Sequence, residues 1–247
     1  MFTDNILKLI EPHIVPPFSA LLLYGSYARQ EEDESSDIDI LQLTSVHTAS
    51  YSHGRINFTC YTPEQLITLA RNGALFARHL ALEAVAIFDP SSFLETLRSA
   101  YVAPRSYVTV YTEAKQAIPL VAIHEEEFEQ RTNQYCSTAS YLLRTYVYAK
   151  AFESGARSFS MRHVAELTGD SRPRQVLSTM RERKTYAAFR SVVDLLFDVT
   201  NTDFFRREES LEVLVFNMFG VCELAVILGL RILAGGQLIT YPVVRPQ

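Results

Sequence analysis

Apolar and polar positions along the chain change their period near Asp89-Pro90. Residues 3–10 repeat apolar positions at helical spacing and stop at Pro12, and Pro16-Pro17 exclude a helix before the next segment. Phe18 to Tyr24 (FSALLLY) is a short apolar run closed by Gly25, the pattern of a buried strand, and Gly25-Ser26 opens a short helical or turn segment. Ile38, Ile40, Leu41 and Leu43 mark a second strand in which Asp37 and Asp39 share a face, and Ile56 to Tyr61 (INFTCY) reads as a third. Thr62-Pro63-Glu64-Gln65 is a helix start with Thr62 as N-cap, Pro63 at the first helical position and Gln65 at the third. Helices near 63–71 and 74–83 then precede a small strand, Val85 to Phe88.

Beyond Pro90 the strand pattern fades and amphipathic helices are expected at 91–101, 105–117, 119–152, 160–168, 172–197 and 208–234. The predicted organisation is an α+β domain over residues 1–90 with a mixed sheet, followed by an all-α bundle over residues 91–247.

Hydrophobic residues make up 48% and charged residues 21% of the 247, which excludes collagen-like, disordered and coiled-coil classes. Cys60, Cys136 and Cys222 lie far apart, with no CxxC pair and no zinc spacing, so neither a disulfide framework nor a zinc site is expected. The N-terminus carries Asp4 and Glu11 and does not read as a signal peptide, and the apolar stretch Phe216 to Leu233 is interrupted by Asn217, Glu223 and Arg231. A cytoplasmic protein with no membrane span is the expectation. The net charge of -5 is uneven: residues 1–90 hold 11 acids against 5 bases, whereas 91–247 hold 17 against 18.

Within that acidic first part, LLLYGSYARQEEDESSDIDILQL (residues 21–43) carries the chemistry. Gly25-Ser26 follows an apolar strand directly, and Asp37-Ile38-Asp39 heads the next one after ten intervening residues. Carboxylates at i and i+2 of a strand point the same way and can grip hard divalent cations, Mg2+ or Mn2+. The glycine lets a backbone N–H and the Ser26 hydroxyl approach a phosphate. Phosphate on one side and metal on the other suits phosphoryl or nucleotidyl transfer. Glu31 to Glu34 read as a solvated loop.

At these residues the sequence resembles the nucleotidyltransferase superfamily of the DNA polymerase β fold, in particular its minimal and kanamycin-nucleotidyltransferase types. Gly25, Ser26, Asp37 and Asp39 match its GS and DxD signature, and Arg29 falls at the last position of a GSxAR run. The resemblance implies transfer of a nucleoside monophosphate, most simply AMP, from Mg-NTP to a hydroxyl of a small-molecule or protein acceptor. Asp37 and Asp39 would hold the metal, Gly25 and Ser26 the triphosphate of ATP or another NTP, and Arg29 would support the phosphates or the acidic loop. The third carboxylate usual in active members falls here on Asn57, which can offer a neutral oxygen but is no general base. Catalysis is then slow, recruits another acid such as Glu83, or is absent.

The region 136–168 resembles the helical domain of kanamycin-nucleotidyltransferase-like and HEPN-type proteins. Tyr141, Tyr146 and Tyr148 read as helix-contact residues, and Arg157 with His163 as a helix-end arginine and a half-buried histidine. Arg157 to Arg190 contains eight bases and three acids, and 161–180 carries faint helix-turn-helix punctuation. Two further classes therefore stay open. One is a non-catalytic nucleotide-binding or antitoxin-like interaction protein, motivated by Asn57; the other is an RNA-directed nucleotidyltransferase, motivated by the basic segment. A homodimer is compatible with the sequence.

Overall fold

The computed structural model describes residues 2–34 and 36–235. Its first compact unit reaches Pro104 and its second begins at Arg105.

In the first unit, α1 (Phe2–Ile10), β1 (Ala20–Tyr24), α2 (Gly25–Arg29), β2 (Ile38–Leu43), β3 (Tyr51–His53), β4 (Ile56–Tyr61), α3 (Pro63–Arg71), α4 (Leu75–Glu83), β5 (Val85–Phe88) and α5 (Phe93–Ala100) follow in order. The strands form one mixed sheet in the order β3-β4-β2-β1-β5. The pair β2/β4 is parallel, whereas β1 runs antiparallel to both β2 and β5. Strand alternation sends Leu22, Tyr24, Leu41, Leu43 and Tyr61 to the face covered by α3, α4 and α5, and Leu21, Leu23, Ile38, Ile40 and Phe58 to the face covered by α1. A sheet covered on both faces explains why β1 is apolar throughout.

Two readings change here. The three-residue strand β3, antiparallel to β4, was not expected; its Tyr-Ser-His carries no alternating apolar pattern, and the pairing is set by β4. The expected boundary at Pro90 moves to Pro104, because Phe93, Leu94 and Leu97 of α5 complete the core under the sheet. The chain after α5 stays with this unit: the Val102 N–H donates to the Ala70 carbonyl at 3.0 Å. A Cβ on Gly73 would stand 2.7 Å from Pro104, so that turn and the end of the unit are fitted to each other.

The second unit is helical: α6 (Val108–Gln116), α7 (Glu125–Gln130), α8 (Thr132–Glu153), α9 (Met161–Thr168), α10 (Arg172–Glu182), α11 (Tyr186–Val199), α12 (Leu211–Met218) and α13 (Glu223–Leu233). Three expected long helices are broken. The one at 119–152 begins only at Glu125 and is interrupted by Arg131 at φ −144. The one at 172–197 stops before Thr185, whose hydroxyl caps α11 by accepting from the Ala188 N–H at 3.3 Å. The one at 208–234 breaks at Gly220 (φ +76), and the Cys222 thiol then caps α13 by accepting from the Ala225 N–H. Among the described residues, no helix is long and apolar enough to cross a membrane.

Candidate nucleotide site

Of the residues singled out in the sequence, Gly25, Asp39 and Asn57 come together on the α3–α5 face, where β1 ends and where β2 and β4 begin. Register is the cause: Tyr24 of β1 lies opposite Asp39 of β2, and Asp39 lies beside Asn57 of β4. The Tyr24 hydroxyl and the Thr59 Oγ1 are 2.8 Å apart, which ties β1 to β4 across β2.

The chain leaves β1 by turning at once into α2. Gly25 sits at φ +78, where L side chains are strained, and a Cβ there would lie 2.7 Å from Asp39 Oδ2. Glycine thus brings the backbone of the turn against the carboxylate, and Ser26 follows, half-buried. Helix α2 ends after five residues, with Gln30 in the left-handed region and its N–H bonded to the carbonyls of Ser26 and Tyr27.

Asp39 is half-buried in β2, whereas Asp37 is exposed in the residue before the strand. The Asn57 side-chain amide donates to Asp39 Oδ1 at 3.1 Å. At the position where a third carboxylate was sought, the structure therefore has a hydrogen-bond donor directed at Asp39. The amide occupies one carboxylate oxygen as a donor and supplies no base.

Arg29 and Glu83 are drawn together. Arg29 Nη1 donates to Glu83 Oε2 at 2.7 Å, and its Nε donates to Glu31 Oε2 at 2.8 Å. His79 Nε2 lies 3.1 Å from the same Glu83 oxygen, one helical turn earlier on α4. The Glu83 side chain is only 7% exposed. Its carboxylate is thus committed to bracing α2 against α4, and Arg29 joins that brace to the acidic loop. Glu31 to Glu34 are exposed; Arg55 donates to the Glu34 carbonyl, and Asp33 and Ser36 bond each other.

Among the described residues there is no group of three or more His, Cys, Asp or Glu that could hold a metal. Asp37 and Asp39 supply two carboxylates, two residues apart in the chain, which is fewer than such a group needs. The thiol of Cys60, within β4, is pushed by burial up to about 11 and is no nucleophile at neutral pH.

In the second unit the tyrosines of α8 act as contacts: the Tyr148 hydroxyl donates to the Phe159 carbonyl at 2.8 Å, and Tyr146 packs edge-on against Tyr111. Arg157 is exposed in the loop before α9, and His163 is half-buried in α9, where its backbone N–H is capped by Ser160. Sequence reasoning missed the buried Arg207, which donates to Glu127; the Tyr135 hydroxyl donates to that same carboxylate. No periodic signal marks it, because it stands in the irregular segment between α11 and α12.

No protein-family model matches the chain, and no curated protein matches it. Among solved structures, the chain is similar to a nucleotidyltransferase-like protein from Exiguobacterium sibiricum 255-15, at 16% identity and a TM-score of 0.31, over 79% of this chain and 73% of that one.

Proposed function

We propose that the first unit binds a nucleoside triphosphate with magnesium and transfers a nucleoside monophosphate, AMP from ATP in the simplest case, to a hydroxyl of a small-molecule or protein acceptor. The observation that supports this reading is the close approach of Gly25 to Asp39, which leaves room for no side chain between the backbone turn and the carboxylate. Gly25 and Ser26 would receive the triphosphate, while Asp37 and Asp39 would hold the cation. Magnesium, when bound, supplies neutralisation of phosphate charge. The acceptor oxygen forms a bond to the α-phosphorus as the bond to pyrophosphate breaks, and the hydroxyl proton leaves to solvent, since Asn57 cannot take it.

Isothermal titration with Mg-ATP tests the site. Binding is expected in the native chain and a loss of at least tenfold in the Asp37→Asn/Asp39→Asn protein; equal binding in both overturns the assignment. Labelled NTPs offered with aminoglycosides, proteins and tRNA then identify the acceptor.

The Asn57 amide on Asp39 favours a second reading, in which the unit holds the nucleotide without transferring it. Asn57→Asp separates the two. Restoring a base at this position is expected to raise a measurable transfer rate about a hundredfold. If neither protein labels any acceptor while both bind Mg-ATP, the holding reading replaces the transfer reading.

A further inference from the structure

In the second unit, the arginines of Arg157 to Arg190 fall into two sets. Arg162 lies 3.5 Å from Glu166, Arg172 bonds both Asp170 and Asp198, and Arg190 bonds Asp194. Arg157, Arg174, Arg181 and Arg183 are exposed, and among the described residues none has a carboxylate within ion-pair distance. The remaining acid, Glu182, accepts from the Ser178 hydroxyl at 3.4 Å.

This second set is spatially ordered by α10. The helix buries Pro173, Leu177 and Met180; along one edge of that buried stripe it exposes Arg174, Ser178 and Arg181 at spacings of four and three, with Glu182 next to them and Arg183 just beyond its end. At the α-helical rise, Arg174 and Arg181 stand about 10 Å apart along one line. The small Ser178 between them lets a ligand backbone come close.

We propose that this face of α10 docks the sugar-phosphate backbone of duplex RNA. Charge complementarity carries the choice of a polyanion: guanidinium forks without carboxylates match phosphate oxygens, and gathering them on one helix is unfavourable until a polyanion neutralises them. A single strand is disfavoured, because residues 157–185 contain no aromatic Phe, Tyr or Trp except Phe159, which is buried, so bases have no stacking platform. An acidic protein surface would lack an apolar anchor on this row of arginine and serine. DNA readout by the helix N-terminus is blocked, since Asp170 and Asp198 surround Arg172 there. RNA duplexes are held through phosphates and 2′-hydroxyls across a shallow groove, by shape, which asks only for a line of cations. The inference is independent of whether the first unit transfers nucleotide.

The test is fluorescence anisotropy of the full chain with a mixed-sequence RNA hairpin, the DNA hairpin of the same sequence, and polyglutamate. The RNA is expected to bind with an affinity that falls about twentyfold between roughly 50 and 150 mM salt, as release of counterions from about three phosphates requires. Arg174→Glu/Arg181→Glu should weaken it at least tenfold and flatten the salt slope by about two. The charge-matched Arg71→Glu/Arg162→Glu control should weaken it less than threefold. Circular dichroism checks the fold; should the double variant unfold, the single variants Arg174→Gln and Arg181→Gln should each lower the slope by about one. Absence of RNA binding, equal loss in the control, an unchanged slope, or equally tight binding of DNA or polyglutamate overturns the proposal.

Discussion

Two ion-paired arginines, one half-buried and one buried, show how differently the two units hold their irregular parts. Arg29 braces the short helix after β1 to Glu83 of α4 and is 17% exposed, while Arg207 ties the segment between α11 and α12 to Glu127 of α7 and is 2% exposed. In the first unit the site is already positioned by strand register, with Tyr24, Asp39 and Asn57 side by side, and the arginine only steadies the turn. In the second unit no ladder fixes the chain near residue 207, so the buried ion pair, together with bonds from Arg207 to the carbonyls of Pro119 and Glu209, supplies the fixing. Where hydrogen-bonded strands set geometry, a charge pair is an addition; where helices meet loops, it becomes the framework.

Substitutions can break or sharpen that contrast. Arg207→Ala leaves the Glu127 carboxylate part-buried beside Tyr135 and is expected to cost about 3–5 kcal/mol, read by chemical denaturation, with hydrogen exchange rising first around α7 and residues 200–210. Arg29→Ala should cost less, about 2 kcal/mol, because the sheet still holds both ends of the turn; a loss equal to that at Arg207 would contradict the comparison. Gly25→Ala forces a left-handed backbone and a clash with Asp39 Oδ2, which should cost about 1–3 kcal/mol and reduce Mg-ATP binding in titration by at least tenfold.

The smallest expected effect lies at Glu113 in α6. Burial, and then the neighbouring Glu223 carboxylate, hold its pKa above the ordinary 4.5. The folded state thus binds this proton more tightly than the unfolded chain, so stability decreases as pH rises from about 4.5 through the raised value. Glu113→Gln should therefore flatten that part of the pH profile and add under about 1 kcal/mol at neutral pH, measured by thermal melting across the range.

Legibility in the sequence followed how local the cause was. The helix start at Thr62 was readable because its capping box is made within four residues: the Thr62 hydroxyl accepts from the Gln65 N–H, and the Gln65 side chain accepts from the Thr62 N–H. Asn57 was reached through the resemblance, which puts a third carboxylate at that position; its place beside Asp39 is set by the register of β4 against β2. The breaks at Arg131, Thr185 and Gly220 were not readable, because helical periodicity continues across them and the caps compete with it on nearly equal terms. The commitment of Glu83 to Arg29 joins residues 54 apart, a pairing that no spacing encodes.

The sequence by itself determined the strands and helices of the first unit other than β3, the Gly-Ser turn, the paired aspartates and the uneven charge, since each follows from steric or periodic rules acting over a few residues. Only the tertiary structure decided that α5 belongs to the first unit, that the Asn57 amide faces Asp39, and which arginines keep a carboxylate and which do not. Those outcomes depend on which side chains from distant segments reach the same few ångströms, and that is fixed by packing of the whole unit rather than by any local pattern.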